Sequence, residues 1–231
     1  MTSARDSFPD LPWAEPPVPR PEVSQAIHTA CSKDLERGRG LGAWQRALLS
    51  VLASGAVVSV MFALGLAQSP EDGTLRAGLV AAAGWGIVHA AVLVVGLVRP
   101  PGRRGSRELR IAIAVGLPLL FFLYLTLSAH HTLPFARFLR EDTHAPTCGL
   151  FTLLFGAAAA GGTLLVWRRT DPLTPGLSGA LAGLCGGLAG ATGIGMACPT
   201  HEAWHLWLAH GSTVLVFVAA GWLVGRKWLA P

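Results

Sequence analysis

Charge is scarce in this 231-residue chain: Asp, Glu, Lys and Arg make up only 13% of it, about half the share of an ordinary soluble domain. The scarcity is concentrated. Six runs, 47–67, 77–98, 111–129, 149–167, 176–197 and 206–225, contain none of these residues. At 1.5 Å per residue, about twenty helical residues reach about 30 Å, the thickness of bilayer hydrocarbon. Helices in a soluble bundle keep a charged face, and these runs have none, which excludes that class. The pattern predicts an all-α membrane protein: a six-transmembrane-helix bundle over 46–231, preceded by a short N-terminal cytoplasmic segment, 1–45. The absence of acids from every run argues against a transporter, whose ion paths rest on intramembrane carboxylates. No pair of runs looks symmetric or broken in matching places either. No cleavable signal is expected, because the first 45 residues show no short apolar core with a small-residue cleavage site. The first run is expected to act as its own insertion signal.

The cations that remain are distributed asymmetrically. Six Arg or Lys precede the first run, five fall at 99–110, and Arg168, Arg169, Arg226 and Lys227 follow the fourth and sixth runs. The opposite side carries only Arg76, Arg137 and Arg140. Cytoplasmic loops retain Lys and Arg, so both termini are expected in the cytoplasm. The net charge of +5 then reflects topology, and the lipid bilayer, with no direct nucleic-acid binding, is the partner it implies. Abundant Ala, Gly and Arg beside little Lys points to a bacterium of high GC content, hence a bacterial inner membrane. Trp44, Trp167, Trp222 and Trp228 are expected as interfacial anchors on the inner side, Trp204 and Trp207 on the outer.

The N-terminal segment has two parts. Residues 7–21 carry six prolines and read as an extended arm. Beyond Pro21, Val23, Ile27, Cys31 and Leu35 recur every four residues, and Gly38 and Gly40 stop the pattern. This is a short amphipathic helix. It either lies on the membrane or is partly disordered, or it docks into a partner's groove through Val23, Ile27 and Leu35. Within the bundle, Gly179, Gly183 and Gly187 repeat every four residues, as do Gly186 and Gly190, which predicts close helix packing in lipid. Pro118 is expected to kink the third span, and His89 to be a neutral histidine hydrogen-bonded to a neighbouring helix.

Histidine and cysteine gather on the non-cytoplasmic side. His130, His131, His144, His201, His205 and His210 all fall there, with Cys148 opening the fourth span and Cys198 closing the fifth. Those spans are consecutive, so both thiols are expected at one depth. Two chemistries are open to them: a disulfide in an oxidising compartment, or zinc or another soft metal held with imidazole, for which His201 and His205 are the candidates. No other cofactor is expected. His201-Glu202-Ala203-Trp204-His205 also matches H-E-x-x-H, in which two imidazoles hold zinc and the Glu acts as general base. A zinc-dependent membrane peptidase is therefore the alternative function. Against it, no Asp or Glu follows Glu202, and His210 lies off the helical face shared by His201 and His205.

The six spans, the cytoplasmic N-terminal segment and the stretch from Gly179-Ala-Leu-Ala-Gly183 through Cys198-Pro199 to Trp204-His205 resemble the NrsF- and CarR-type membrane anti-sigma factors. Cys148 and Cys198 match that family's paired extracytoplasmic cysteines. The resemblance covers the whole chain in topology and is concentrated in spans four to six in residues. The arm at 7–21 is more proline-rich than the family pattern, and the outer face carries extra histidines. The resemblance implies a non-enzymatic negative regulator of transcription. Its cytoplasmic segment, with the basic 99–110 loop, would hold an extracytoplasmic-function-type sigma factor until an envelope, redox, metal or light-related signal releases it. Cys148 and Cys198, with His201 and His205, would carry the sensing.

Overall fold

The computed structural model describes residues 21–26, 28–29, 41–61, 72–98, 106–168, 170, 173–198 and 200–230. The chain divides into two units, 1–41 and 42–231. In the first, residues 21–26 and 28–29 are helical and solvent-exposed, Val23 among them. Ile27 and Leu35 lie outside the described residues.

Among the described residues the second unit is built of helices joined by loops, with no named strand. Its helices are α1 (Ala43–Met61), α2 (Asp72–Gly96), α3 (Arg107–Ser128), α4 (Phe135–Glu141), α5 (Ala145–Val166), α6 (Pro175–Ala197) and α7 (Ala203–Trp228), whose segment Leu206–Gly211 is π-helical. Helices α1, α3, α5, α6 and α7 are long and apolar enough to cross a membrane, which makes this a multi-pass membrane protein. The remaining expected span, 77–98, coincides with α2, where Ala83–Gly96 is a shorter apolar stretch. Ile87, Leu119 and Leu127 project outward, as side chains facing lipid do.

Local chemistry sets the helix boundaries. Ser106 caps α3, its Oγ accepting from the Leu109 amide at 3.0 Å. Pro118 is buried within α3, which continues through it to Ser128. Pro175 starts α6 at a position where its missing N–H costs nothing.

Helix α6 is the central element: 89% of its membrane-length window is buried, against 22% for α1 and α3. Its two glycine repeats serve two different neighbours. An added Cβ at Gly179 or Gly183 would fall on the Gly221 or Phe217 carbonyl oxygens of α7. At Gly190 it would fall on the Thr152 carbonyl oxygen of α5, and at Gly186 on Ala160 of α5. Small residues here let backbones touch, which substitutes for the hydrophobic effect inside lipid. Gly193 packs on Met61 of α1, and Leu181 on Gly96 of α2. Arg110 of α3 is buried and reaches Thr174 and Ser178 at the start of α6.

One expectation is corrected. Trp167 is not an interfacial anchor: it is buried, and its indole N–H donates to Ser50 Oγ of α1 at 3.1 Å, tying the end of α5 into the core. Trp44, Trp222 and Trp228 are exposed as an aromatic belt requires. His89 is buried in α2 and faces the Cys185 backbone of the neighbouring helix α6.

Candidate functional site

The end of the bundle where α5 and α7 begin and α6 ends is built from loops tied by backbone pairing. The His130 amide donates to His201 O at 3.0 Å and the Ala203 amide to His131 O at 3.1 Å. Glu202 sits inside this junction, almost fully buried. Its Oε2 accepts from the His205 amide at 2.8 Å, capping α7, and its Oε1 accepts from the Leu133 amide at 3.1 Å. The Trp204 indole donates to Leu133 O at 3.0 Å. These bonds fix the first turn of α7 against the 130–134 loop.

That fixed turn aims His205 at two thiols. His205 Nε2 lies 3.1 Å from Cys198 Sγ, and Cys198 Sγ lies 4.0 Å from Cys148 Sγ. Ligand atoms of Cys148, Cys198 and His205 all fall within 4.8 Å of one another. On its other side, His205 Nδ1 meets Asp142 Oδ2 at 2.7 Å. Asp142 Oδ1 accepts from the His144 and Ala145 amides at 2.9 and 3.0 Å, so the carboxylate is anchored at the start of α5. Asp142, His205 and Cys198 form a carboxylate–imidazole–thiol chain in which Asp142 orients the ring and the ring faces sulfur.

The electrostatics favour sulfur as thiolate at Cys198. A hydrogen bond from the Cys148 thiol, and then His205 and His210, hold the Cys198 pKa well below the ordinary thiol range, against the opposing effect of burial. His210 acts on Cys198 in this way although neither of its ring nitrogens attains hydrogen-bond geometry with any partner. Its ring centre is 5.5 Å from that of His205.

The structure brings together Cys148, Cys198 and His205 and separates His201 from them. His201 is exposed and stacks on His130, ring centres 4.6 Å apart. The H-E-x-x-H motif therefore does not assemble as in a zinc peptidase. Its first histidine faces away, and its Glu uses both oxygens on backbone amides where a general base needs one free for water. The rejection of His210 as off-face is also corrected. In the π-helical segment hydrogen bonds close one residue later than in an α-helix, so residues five apart stack on one side. Asp142 was not among the candidate residues. The only sequence signal for it is its place as a capping acid shortly before the apolar run that Cys148 opens.

Such a cluster can close a disulfide or bind a soft metal. A family model described as NrsF, negative regulator of sigma F, matches residues 32–230. That range takes in all seven helices and every member of the cluster. No curated protein and no solved structure matches the chain.

Proposed function

The chain belongs to the NrsF family, the negative regulators of sigma F, and from that membership we propose that it is a membrane-bound anti-sigma factor without enzymatic activity. It holds an extracytoplasmic-function-type sigma factor at the bacterial inner membrane. Both termini lie in the cytoplasm, where arginines and lysines concentrate. The amphipathic segment carrying Val23, Ile27 and Leu35, with the basic 99–110 loop, receives the sigma factor. The Cys148–Cys198–His205 cluster lies on the far side and senses the releasing signal.

The single observation that carries this reading is the family match over 32–230, which spans both the membrane helices and the thiol–imidazole cluster. The geometry supports a route between the two faces. Cys198 closes α6, and Arg110, the last cation of the basic 99–110 stretch, bonds to Ser178 at the other end of α6. A change of state at the cluster biases the bundle only if the signal favours one arrangement of that helix over another.

Affinity capture tests the reading. The detergent-solubilised full chain is expected to retain a small sigma factor encoded beside it. Val23→Asp, Ile27→Asp and Leu35→Asp together should weaken capture at least about tenfold, equivalent to ~1.4 kcal/mol. Capture unchanged in the triple variant removes the docking helix, and no capture by the wild type removes sequestration.

A further inference from the structure

His210 is 1% exposed, and both of its ring nitrogens are buried without a hydrogen-bond partner. Buried imidazole nitrogens are ordinarily paired with protein, water or metal. This ring lies beside that of His205, just outside the three groups whose ligand atoms already converge within 4.8 Å, so a small turn of the imidazole is what would bring its nitrogen into the set. The spacing fits one small ion. Zinc bonds of about 2.3 Å to sulfur and about 2.0–2.1 Å to nitrogen, at tetrahedral angles, put two sulfurs about 3.8 Å apart and a sulfur and a nitrogen about 3.6 Å apart. The corresponding separations are 4.0 Å for Cys148 and Cys198 and 3.1 Å for Cys198 and His205. By the same bond lengths, two imidazoles on one zinc have ring centres about 5 Å apart, against 5.5 Å for His205 and His210.

The outer contacts fit as well. Histidine ligands commonly give their second nitrogen to a carboxylate, which fixes the tautomer and strengthens the donor. Asp142 does this to His205 Nδ1 and leaves Nε2 directed at the sulfurs. Asp142 is itself held by two backbone amides, so the ring has little freedom to turn away.

We propose that Cys148, Cys198, His205 and His210 bind a single zinc-type divalent ion in a closed tetrahedral Cys2His2 site, with Asp142 as the positioning residue for His205. Four protein ligands leave no open coordination position, so the site is structural or regulatory and not hydrolytic. Loading turns both cysteines into metal thiolates and releases the proton shared between them, held by the Cys148 thiol. As the chemistry of the sensing cluster, the assignment rests on the anti-sigma reading. Metal binding is measured without a sigma factor, so the two ideas fail separately.

The experiment uses the full chain in detergent, reduced and stripped with chelator, then titrated with Co2+ alone and with Zn2+ in competition. One Co2+ per chain should bind with the intense visible bands of tetrahedral coordination and a sulfur-to-cobalt charge-transfer band, both erased by Zn2+. Cys198→Ser and His210→Ala should each weaken binding by more than the ~10–100-fold expected of Asp142→Asn, which keeps the tetrahedral spectrum. His201→Ala and Cys185→Ser should bind like wild type. If His210→Ala fails to fold, His210→Cys tests the same position and should bind with a stronger charge-transfer band. Sub-stoichiometric binding, a weak octahedral spectrum, a His210→Cys variant with an unaltered charge-transfer band, or a His201→Ala loss as large as that of His210→Ala would each overturn the assignment.

Discussion

His205 and His210 share one face of α7, ring centres 5.5 Å apart, although five residues of α-helix would turn them about 140° from each other. The π-helical segment Leu206–Gly211 makes the difference. Such bulges are rare and concentrate at functional sites. Here the bulge delivers a second imidazole to a buried thiol pair.

That delivery leaves two buried nitrogens unpaired in the metal-free chain. Replacing His210 with Leu, of similar volume, removes them. Thermal unfolding in detergent should therefore show metal-free His210→Leu equal to or up to about 1 kcal/mol more stable than wild type. Saturating zinc should reverse the order. At a hundredfold excess over Kd, binding to the native state adds about 2.7 kcal/mol to wild type and nothing comparable to the variant. A variant stabilised by zinc as strongly as wild type would remove His210 from the cluster.

The thiols should differ sharply in reactivity. Cys148 and Cys198 lie 4.0 Å apart at the end of the bundle, whereas Cys185 is fully buried within α6. Mild oxidation of metal-free native protein should join Cys148 to Cys198 and leave Cys185 a free thiol, as read by differential alkylation and mass spectrometry. Zinc added first should protect the pair. Modification of Cys185 before Cys148 would contradict this placement.

Much of this arrangement is legible in the sequence, for reasons that also explain the gaps. Uncharged length reports the bilayer directly, and α1, α3, α5, α6 and α7 fall on the expected runs. The glycine spacing of α6 reports close approach, and a four-residue period suffices to separate Gly179 and Gly183 from Gly186 and Gly190. The matching depth of Cys148 and Cys198 follows from antiparallel neighbours. Three features are hidden. Asp142 and His205 are 63 residues apart and meet only through loop geometry. The π-helical turn changes the face of His210 without any composition signal. Trp167 is interfacial by position but finds Ser50, a partner that no local pattern names. His201 is misplaced for a related reason: an i, i+4 motif assumes a continuous helix, and α7 begins only at Ala203.

Glu202 gives the clearest separation between scaffold and catalysis. Its two oxygens accept from the His205 and Leu133 amides within the junction. Glu202→Ala leaves both amides without that acceptor and should destabilise the protein by about 1–3 kcal/mol, seen as a lowered unfolding temperature. Glu202→Gln keeps one acceptor oxygen and should lose less. A peptidase would respond differently, losing hydrolysis in Glu202→Gln with stability unchanged. An unfolding temperature unmoved by Glu202→Ala would refute the capping role.

Helix α6 offers a test of how rigidly the two faces are joined. It touches α1, α2, α5 and α7 through glycine or through side chains lying on glycine, and Arg110 of α3 fastens its first turn. An added methyl at Gly179 falls on the Gly221 carbonyl oxygen, and backbone cannot step aside as a flexible side chain would. Gly179→Ala should therefore cost at least about 1–3 kcal/mol. It should also push α7 away from α6, and so shift His205 relative to Cys198. Gly161, on α5, has nothing within 4 Å of an added Cβ, so Gly161→Ala should stay within about 0.5 kcal/mol of wild type. If the two faces are joined through α6, Gly179→Ala should weaken cobalt binding at the distant cluster as well as lowering the unfolding temperature. Stability lost with cobalt affinity unchanged would mean that the α6–α7 contact holds the bundle together without transmitting anything to the cysteines.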